Sequence, residues 1–286
     1  MKPKEADKII RKTIQIDGWF SFWDARLFAW IDEIQKSNGL VGDIFEIGVY
    51  HGKSAVFLGA MLSPTREKLG MCDVFEAQTK KVPGSATGDR QILEHNLKRY
   101  LYHRVDTHVF AKSSAELTVE EIGRNHRFIY IDGGHTVDDV LSDLKLAASS
   151  LIEEGVIVLD DAMAPVWPGI AEAIFHFLLS DKRFCAIVLG FNKMVLVRRK
   201  IAGLYTRQID DEELRVNYKF GYPCHWKKIP FMNHPLRVVY IPGNTLRTSL
   251  TRRTKLIQYY QQHNWPKHPS LRPIVLLAKS IVRQER

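Results

Sequence analysis

Two apolar runs that end in acid constrain this chain more than any other feature: Ile129-Tyr-Ile-Asp132-Gly-Gly-His135 and Val156-Ile-Val-Leu-Asp160-Asp161. Each run suits a strand buried on both faces, as in a parallel sheet covered by helices. Two such neighbours deliver three carboxylates and an imidazole to one edge of the sheet. In open α/β sheets the carboxyl ends of the strands are where ligands bind, so the pair marks a candidate active site.

The rest of residues 1–197 repeats that pattern. Ile44–Ile47, Gly70–Phe75, Val105–Phe110, Phe128–Ile131, Val156–Leu159, Ala186–Leu189 and Met194–Val197 read as strands, with helix-forming segments between most of them. This alternation predicts a Rossmann-like α/β fold, a mostly parallel seven-stranded sheet with helices on both faces. Only Gly190-Phe-Asn-Lys193 separates the last two runs, too short for a helical crossover, so they are expected to form a C-terminal antiparallel hairpin.

Charge divides the chain. Residues 198–286 hold 18 Lys and Arg against 5 Asp and Glu, and seven of the twelve prolines, whereas residues 1–197 hold 23 against 27. The shift predicts an N-terminal helical cap (1–40), a ligand-binding α/β domain (41–199) and a basic C-terminal extension (200–286). The extension reads either as a solvated surface or as a contact for an anionic partner. Within it, Leu271-Arg-Pro-Ile-Val-Leu-Leu-Ala-Lys-Ser-Ile-Val-Arg reads as a basic helix with an apolar face. Such a helix packs on the body or a second copy in a homo-oligomer, or lies on an anionic membrane carrying a lipid-linked glycan.

The three cysteines are scattered and suggest neither a disulfide framework nor a zinc site. No apolar run approaches a membrane span. The expected location is cytoplasmic, with peripheral membrane contact left open.

The first strand runs into a glycine-rich turn, Glu46-Ile-Gly48-Val-Tyr50-His-Gly52-Lys-Ser54. Glycines there let the backbone approach a ligand, and the helix that follows presents free N–H groups. The spacing matches neither Gly-x-Gly-x-x-Gly nor a P-loop. The second strand ends in Asp73-Val-Phe75-Glu76, where Asp73, with Glu76 as runner-up, is placed to accept hydrogen bonds from ribose hydroxyls. The aromatic residues Trp19, Trp23, Phe28 and Trp30 are expected to pack on the body rather than form a lid.

Taken together, Glu46–Ser54, Asp73–Gln78, Gly84–Arg90, Ile131–His135 and Gly155–Asp161 resemble the class I S-adenosylmethionine-dependent methyltransferases. The resemblance is to the group that includes macrocin-type sugar O-methyltransferases and the proteins named cephalosporin hydroxylases. It spans roughly residues 15–199. It implies that Glu46 and Gly48 line the methionine end of S-adenosylmethionine, that Asp73 holds the ribose, and that Ser113 or Ser114 lies near adenine. Tyr50, Gly52, Ser54, Phe75 and Asp132 complete the implied cofactor contacts. Related metal-dependent enzymes bind magnesium at the positions of Asp132, Asp160 and Asp161.

A metal also has a physical rationale. Parallel strands lie roughly 4.8 Å apart, so acids at their ends can share a hard cation such as Mg²⁺, with Mn²⁺ or Ca²⁺ as substitutes. The competing arrangement has Asp161 capping the following turn and Asp160 pointing elsewhere. Asp132 and His135 are the expected catalytic residues. His135 is a general base for a hydroxyl, since imidazole titrates near neutrality, or else it orients its loop. The acceptor reads as a sugar, glycan or other small molecule, against which Trp167 could stack. Nucleic acid is disfavoured, because the acid cluster suits a hydroxyl. A nucleic-acid methyltransferase, whose basic extension offers Tyr222, Trp226, Tyr259 and Tyr260 for stacking, and a non-catalytic cofactor-binding protein remain the rival readings.

Overall fold

A computed structural model describes residues 1–63, 66–75, 87–101, 105–210 and 225–240. Two helices precede the sheet. The first, α1, is Pro3–Lys12; the second, α2, spans Phe22–Ser37 and starts at a capping box in which Ser21 and Asp24 each accept the other's backbone N–H. The α/β body follows as β1 (Asp43–Ile47), α3 (Lys53–Met61), β2 (Lys68–Asp73), α4 (Arg90–Leu101), β3 (Asp106–Ala111), α5 (Val119–Ile122) and β4 (His126–Ile131). It continues as α6 (Val137–Ser150), β5 (Leu151–Leu159), α7 (Pro168–Ser180), β6 (Phe184–Gly190), β7 (Lys193–Arg198) and α8 (Ala202–Asp210).

Among the described residues the sheet has nine strands rather than the expected seven, in the order β3-β2-β1-β4-β5-β7-β6-β9-β8. The two additions, β8 (His225–Phe231) and β9 (His234–Tyr240), come from the basic extension, and β9 pairs in parallel with β6. Strands β1 to β5 are parallel where they pair, and β7 lies antiparallel to both β5 and β6. The hairpin is therefore as anticipated. Its two-residue turn, Phe191-Asn192, has φ of 55° and 66°, the backbone that matches the twist of a tight hairpin.

The central strands are buried on both faces, as their apolar runs require. Phe128, Ile129, Tyr130, Val156, Ile157 and Val158 are all buried. Phe28 of α2 packs edge-on against Phe128 and Tyr130 at 5.0 Å each, and Trp30 is also buried. Trp19 instead stands 76% exposed. The chain divides into two units, 1–222 with 226–240 and 223–225 with 241–286. The second lies almost wholly outside the described residues, as does the helix expected over 271–283.

Candidate active site

The site is built where β1, β4 and β5 end together. The register aligns Ile47 with Ile131 and Ile131 with Leu159, so Gly48, Asp132 and Asp160 leave the sheet at the same level. Backbone bonds continue the ladder past the strands: Asp132 N–H donates to the Ile47 carbonyl at 2.7 Å, and Asp160 N–H to the Ile131 carbonyl at 2.9 Å. Gly48 has φ of +83°, and a Cβ there would lie 1.9 Å from the Asp132 carbonyl oxygen. Only glycine permits that approach.

The turn after β1 is clamped by Asp73. Its Oδ2 accepts the N–H groups of Val49 and Tyr50 at 2.8 Å each, and its Oδ1 accepts that of Phe75 at 2.9 Å. Three of its roughly four acceptor positions are thus spent on backbone. Asp73 shapes this turn directly, leaving about one acceptor position for a ligand hydroxyl. Gly52, with φ of +83°, caps α3. Phe75 is buried with φ of 46°. Glu76 lies outside the described residues. After β3, Ser113 caps a short 3₁₀ turn beginning at Ser114, and both serines are half-buried.

A cleft opens beside this turn, lined by Asp17–Phe20, Gly48–Tyr50, Lys53, Ser54, Tyr130 and Asp132. Trp19 leans on Tyr50, with ring centroids 5.5 Å apart. Ser54 donates to Glu46 Oε1, while Glu46 Oε2 is buried with no hydrogen-bond partner among the described residues. Burial pushes the Glu46 carboxyl up to about 8; the Ser54 hydrogen bond opposes this and Asp73 adds to it. Glu46 stands one hydrogen bond behind the cleft, through Ser54, and its unpartnered oxygen suits a cationic ligand group, such as the ammonium of a methionine moiety, whose charge would favour the ionised carboxylate.

A second cleft, lined by Asp132–His135, Asp160 and Ile170 among others, adjoins the first through Asp132. The His135 ring stacks on Trp167 at 4.1 Å and 11°. One face of Trp167 is therefore taken by the histidine, not left for an acceptor. His135 Nε2 lies 3.9 Å from Asp161 Oδ2. Burial pulls the imidazole below its ordinary value against the opposing pull of Asp161, Asp160 and Asp139. The net pull favours the neutral imidazole, the form that accepts a proton.

The three acids do not converge as a metal site. Among the described residues no three His, Cys, Asp or Glu side chains could hold an ion together. Asp160 accepts Lys193 Nζ on both oxygens at 2.8 Å, the Tyr130 hydroxyl on Oδ2 at 2.5 Å and the Asp161 N–H on Oδ1 at 2.8 Å. Asp161, at φ 49°, accepts the Asn192 amide. Asp132 Oδ2 receives the Tyr130 hydroxyl at 3.2 Å, and burial, reinforced by Asp160, raises its carboxyl well above the usual range. The expected Mg²⁺ ligands are thus neighbours, but with hydrogen-bond partners already in place.

Lys193 and Asp24 are the members of this cluster that sequence reasoning missed. Lys193 Nζ also lies 3.2 Å from Asp24 Oδ1 and 5.6 Å above the Tyr130 ring. Burial lowers the lysine's affinity for its proton, but Asp24, Asp160 and Asp132 outweigh that and raise it.

The parallel sheet with an antiparallel end is the fold of solved α/β methyltransferase domains. Residues 45–162 match a family model described as "Methyltransferase domain". The O-methyltransferase NovP superposes with a TM-score of 0.56 at 13% identity, covering 68% of this chain and 97% of that one. A TDP-rhamnose 3'-O-methyltransferase, CalS11, gives 0.47 at 15% identity over 69% and 92%. An O-methyltransferase from Bacillus cereus, solved with S-adenosylhomocysteine, gives 0.46 at 15% over 69% and 90%. No curated protein matches.

Proposed function

We propose that this protein transfers a methyl group from S-adenosylmethionine to a hydroxyl of a sugar, glycan or other small molecule. The observation that carries the reading is the pairing of two adjoining clefts that share Asp132. One is lined by Ser54, which is hydrogen-bonded to the buried carboxyl of Glu46; the other is lined by His135, whose imidazole burial pulls below its ordinary value. Bound in the first cleft, the cofactor supplies an electrophilic methyl on a sulfonium.

The chain's residues supply the rest. Glu46 meets the ammonium, the Gly48 turn lines the cleft that the cofactor enters, and Asp73 keeps that turn in shape. His135 takes the hydroxyl proton at Nε2 as the acceptor oxygen bonds to the methyl carbon and the carbon–sulfur bond breaks, a role suited to a base near neutrality. Trp167 stacks on the ring and fixes its plane. No step is routed through a metal, since Asp160 and Asp161 are already engaged. A sugar acceptor rests on the motif resemblance. The basic extension, as a peripheral contact with anionic membrane or lipid-linked glycan from the cytoplasmic side, is part of the same proposal.

Calorimetric titration with S-adenosylhomocysteine and, separately, NAD tests the cofactor. Binding of the former with no response to NAD is expected, and the reverse overturns the reading. Incubation with S-adenosylmethionine and candidate sugars, followed by mass spectrometry, should show a gain of one methylene in the acceptor. Sedimentation with anionic liposomes tests the membrane contact.

A further inference from the structure

The acid cluster at the ends of β4 and β5 already contains a cation. Lys193 enters from the first residue of β7, is 2% exposed, and places Nζ 2.8 Å from both oxygens of Asp160 and 3.2 Å from Asp24. A carboxylate offers about four lone-pair positions. Asp160 uses two on Lys193, one on the Tyr130 hydroxyl and one on the Asp161 N–H. A magnesium ion needs oxygens at roughly 2.0–2.1 Å in near-octahedral array. To reach Asp160 it must displace an ammonium or one of these donors, and then share the space with a buried positive charge.

We propose that Lys193 takes the place of a divalent cation in this site: its ammonium is the fixed counter-charge of Asp24 and Asp160, and it excludes metal from them. The proposal deepens the methyl-transfer reading by making the centre one that works without a metal ion. Lys193 is a positioning residue. It holds Asp160, which through the Tyr130 hydroxyl is joined to Asp132 at the junction of the two clefts. It also ties α2, through Asp24, to the hairpin. An ammonium suits this role because it is a compact charge with three donors, and all three directions face acids or their hydrogen-bonded neighbour.

Electron paramagnetic titration of the full chain with Mn²⁺ tests the idea without cofactor or acceptor, so its result is independent of whether methyl transfer is the reaction. The wild-type chain is expected to show no stoichiometric Mn²⁺ site that Asp160→Asn removes. Lys193→Met, folded by circular dichroism, is expected to gain one site, and Lys193→Met/Asp160→Asn to lose it again. A wild-type site abolished by Asp160→Asn overturns the proposal, as does a folded Lys193→Met that gains none. If Lys193→Met does not fold, the wild-type comparison decides alone. Failure of S-adenosylhomocysteine to bind would instead count against the methyl-transfer reading and leave the Mn²⁺ result standing.

Discussion

The Cα of Gly48 faces the carbonyl of Asp132 so closely that a Cβ would lie 1.9 Å from that oxygen. The turn after β1 and the end of β4 are thus fitted against each other through bare backbone. Gly48→Ala cannot be absorbed by a side-chain shift, and its φ of +83° is itself unfavourable for alanine. The expected loss is at least about 2 kcal/mol of stability, or a displaced turn. Urea unfolding with S-adenosylhomocysteine titration checks it; wild-type behaviour in both would refute the fit.

Glu46 makes stability depend on pH. Its carboxyl stands at about 8 when folded against an ordinary 4.5, so the folded chain binds more protons between those values. Stability therefore falls as pH rises from about 4.5 to about 8 and is level outside that window. At about 1.4 kcal/mol per unit the whole effect is on the order of 5 kcal/mol. The difference between the wild-type and Glu46→Gln unfolding curves across that range should carry the slope. A flat difference would show Glu46 to be ionised throughout.

His135→Ala should reduce turnover about 10²- to 10⁴-fold, the usual worth of a positioned base. Cofactor affinity should stay within about twofold, since a histidine that only takes the acceptor proton contributes nothing to cofactor binding. Because burial holds the imidazole below its ordinary value, the acid limb of the wild-type rate profile should fall below pH 6.5 and vanish in the variant. Turnover that survives intact would reassign His135 to shaping its loop.

Arg127 is a stability anchor far from the chemistry. Fully buried, it donates to Glu67 at 2.8 Å and Gln35 at 2.6 Å, and pairs with Asp32 at 2.9 Å. Arg127→Met strands buried carboxylates and should cost about 3–5 kcal/mol. Thermal unfolding measures it; a loss under about 1 kcal/mol would mean that water or rearrangement replaces the arginine.

Much of this molecule is legible in its residues because the signals are local. The runs ending at Ile47, Ile131 and Leu159, and the short link before Met194, fix the parallel core and the hairpin. Strands β8 and β9 are not legible in this way, because Lys227-Lys228, Pro230 and Pro235 argue against a strand. Lys227, Lys228 and Pro230 lie in β8, an edge strand, where proline is tolerated and lysines discourage further pairing; Pro235 is the second residue of β9, ahead of the register with β6 that starts at Arg237. Lys193 escapes sequence reading for a different reason. A lysine beside a turn is ordinarily solvated, and its burial depends on Asp24 and Asp160, which only the fold brings together. The same convergence sets Asp160 apart from a metal ligand, which no spacing along the chain could reveal.

The hairpin turn has a consequence for how this protein can be altered. Three successive residues each fasten a different part: Phe191 stacks on Trp23 at 5.4 Å, Asn192 holds Asp161, and Lys193 holds Asp160 and Asp24. Side chains alternate along a strand, so inserting or deleting one residue here turns the lysine to the opposite face. Loop grafting at this hairpin, a common route to new acceptor preference, is therefore closed. Its length is as much a part of the site's identity as any side chain in it.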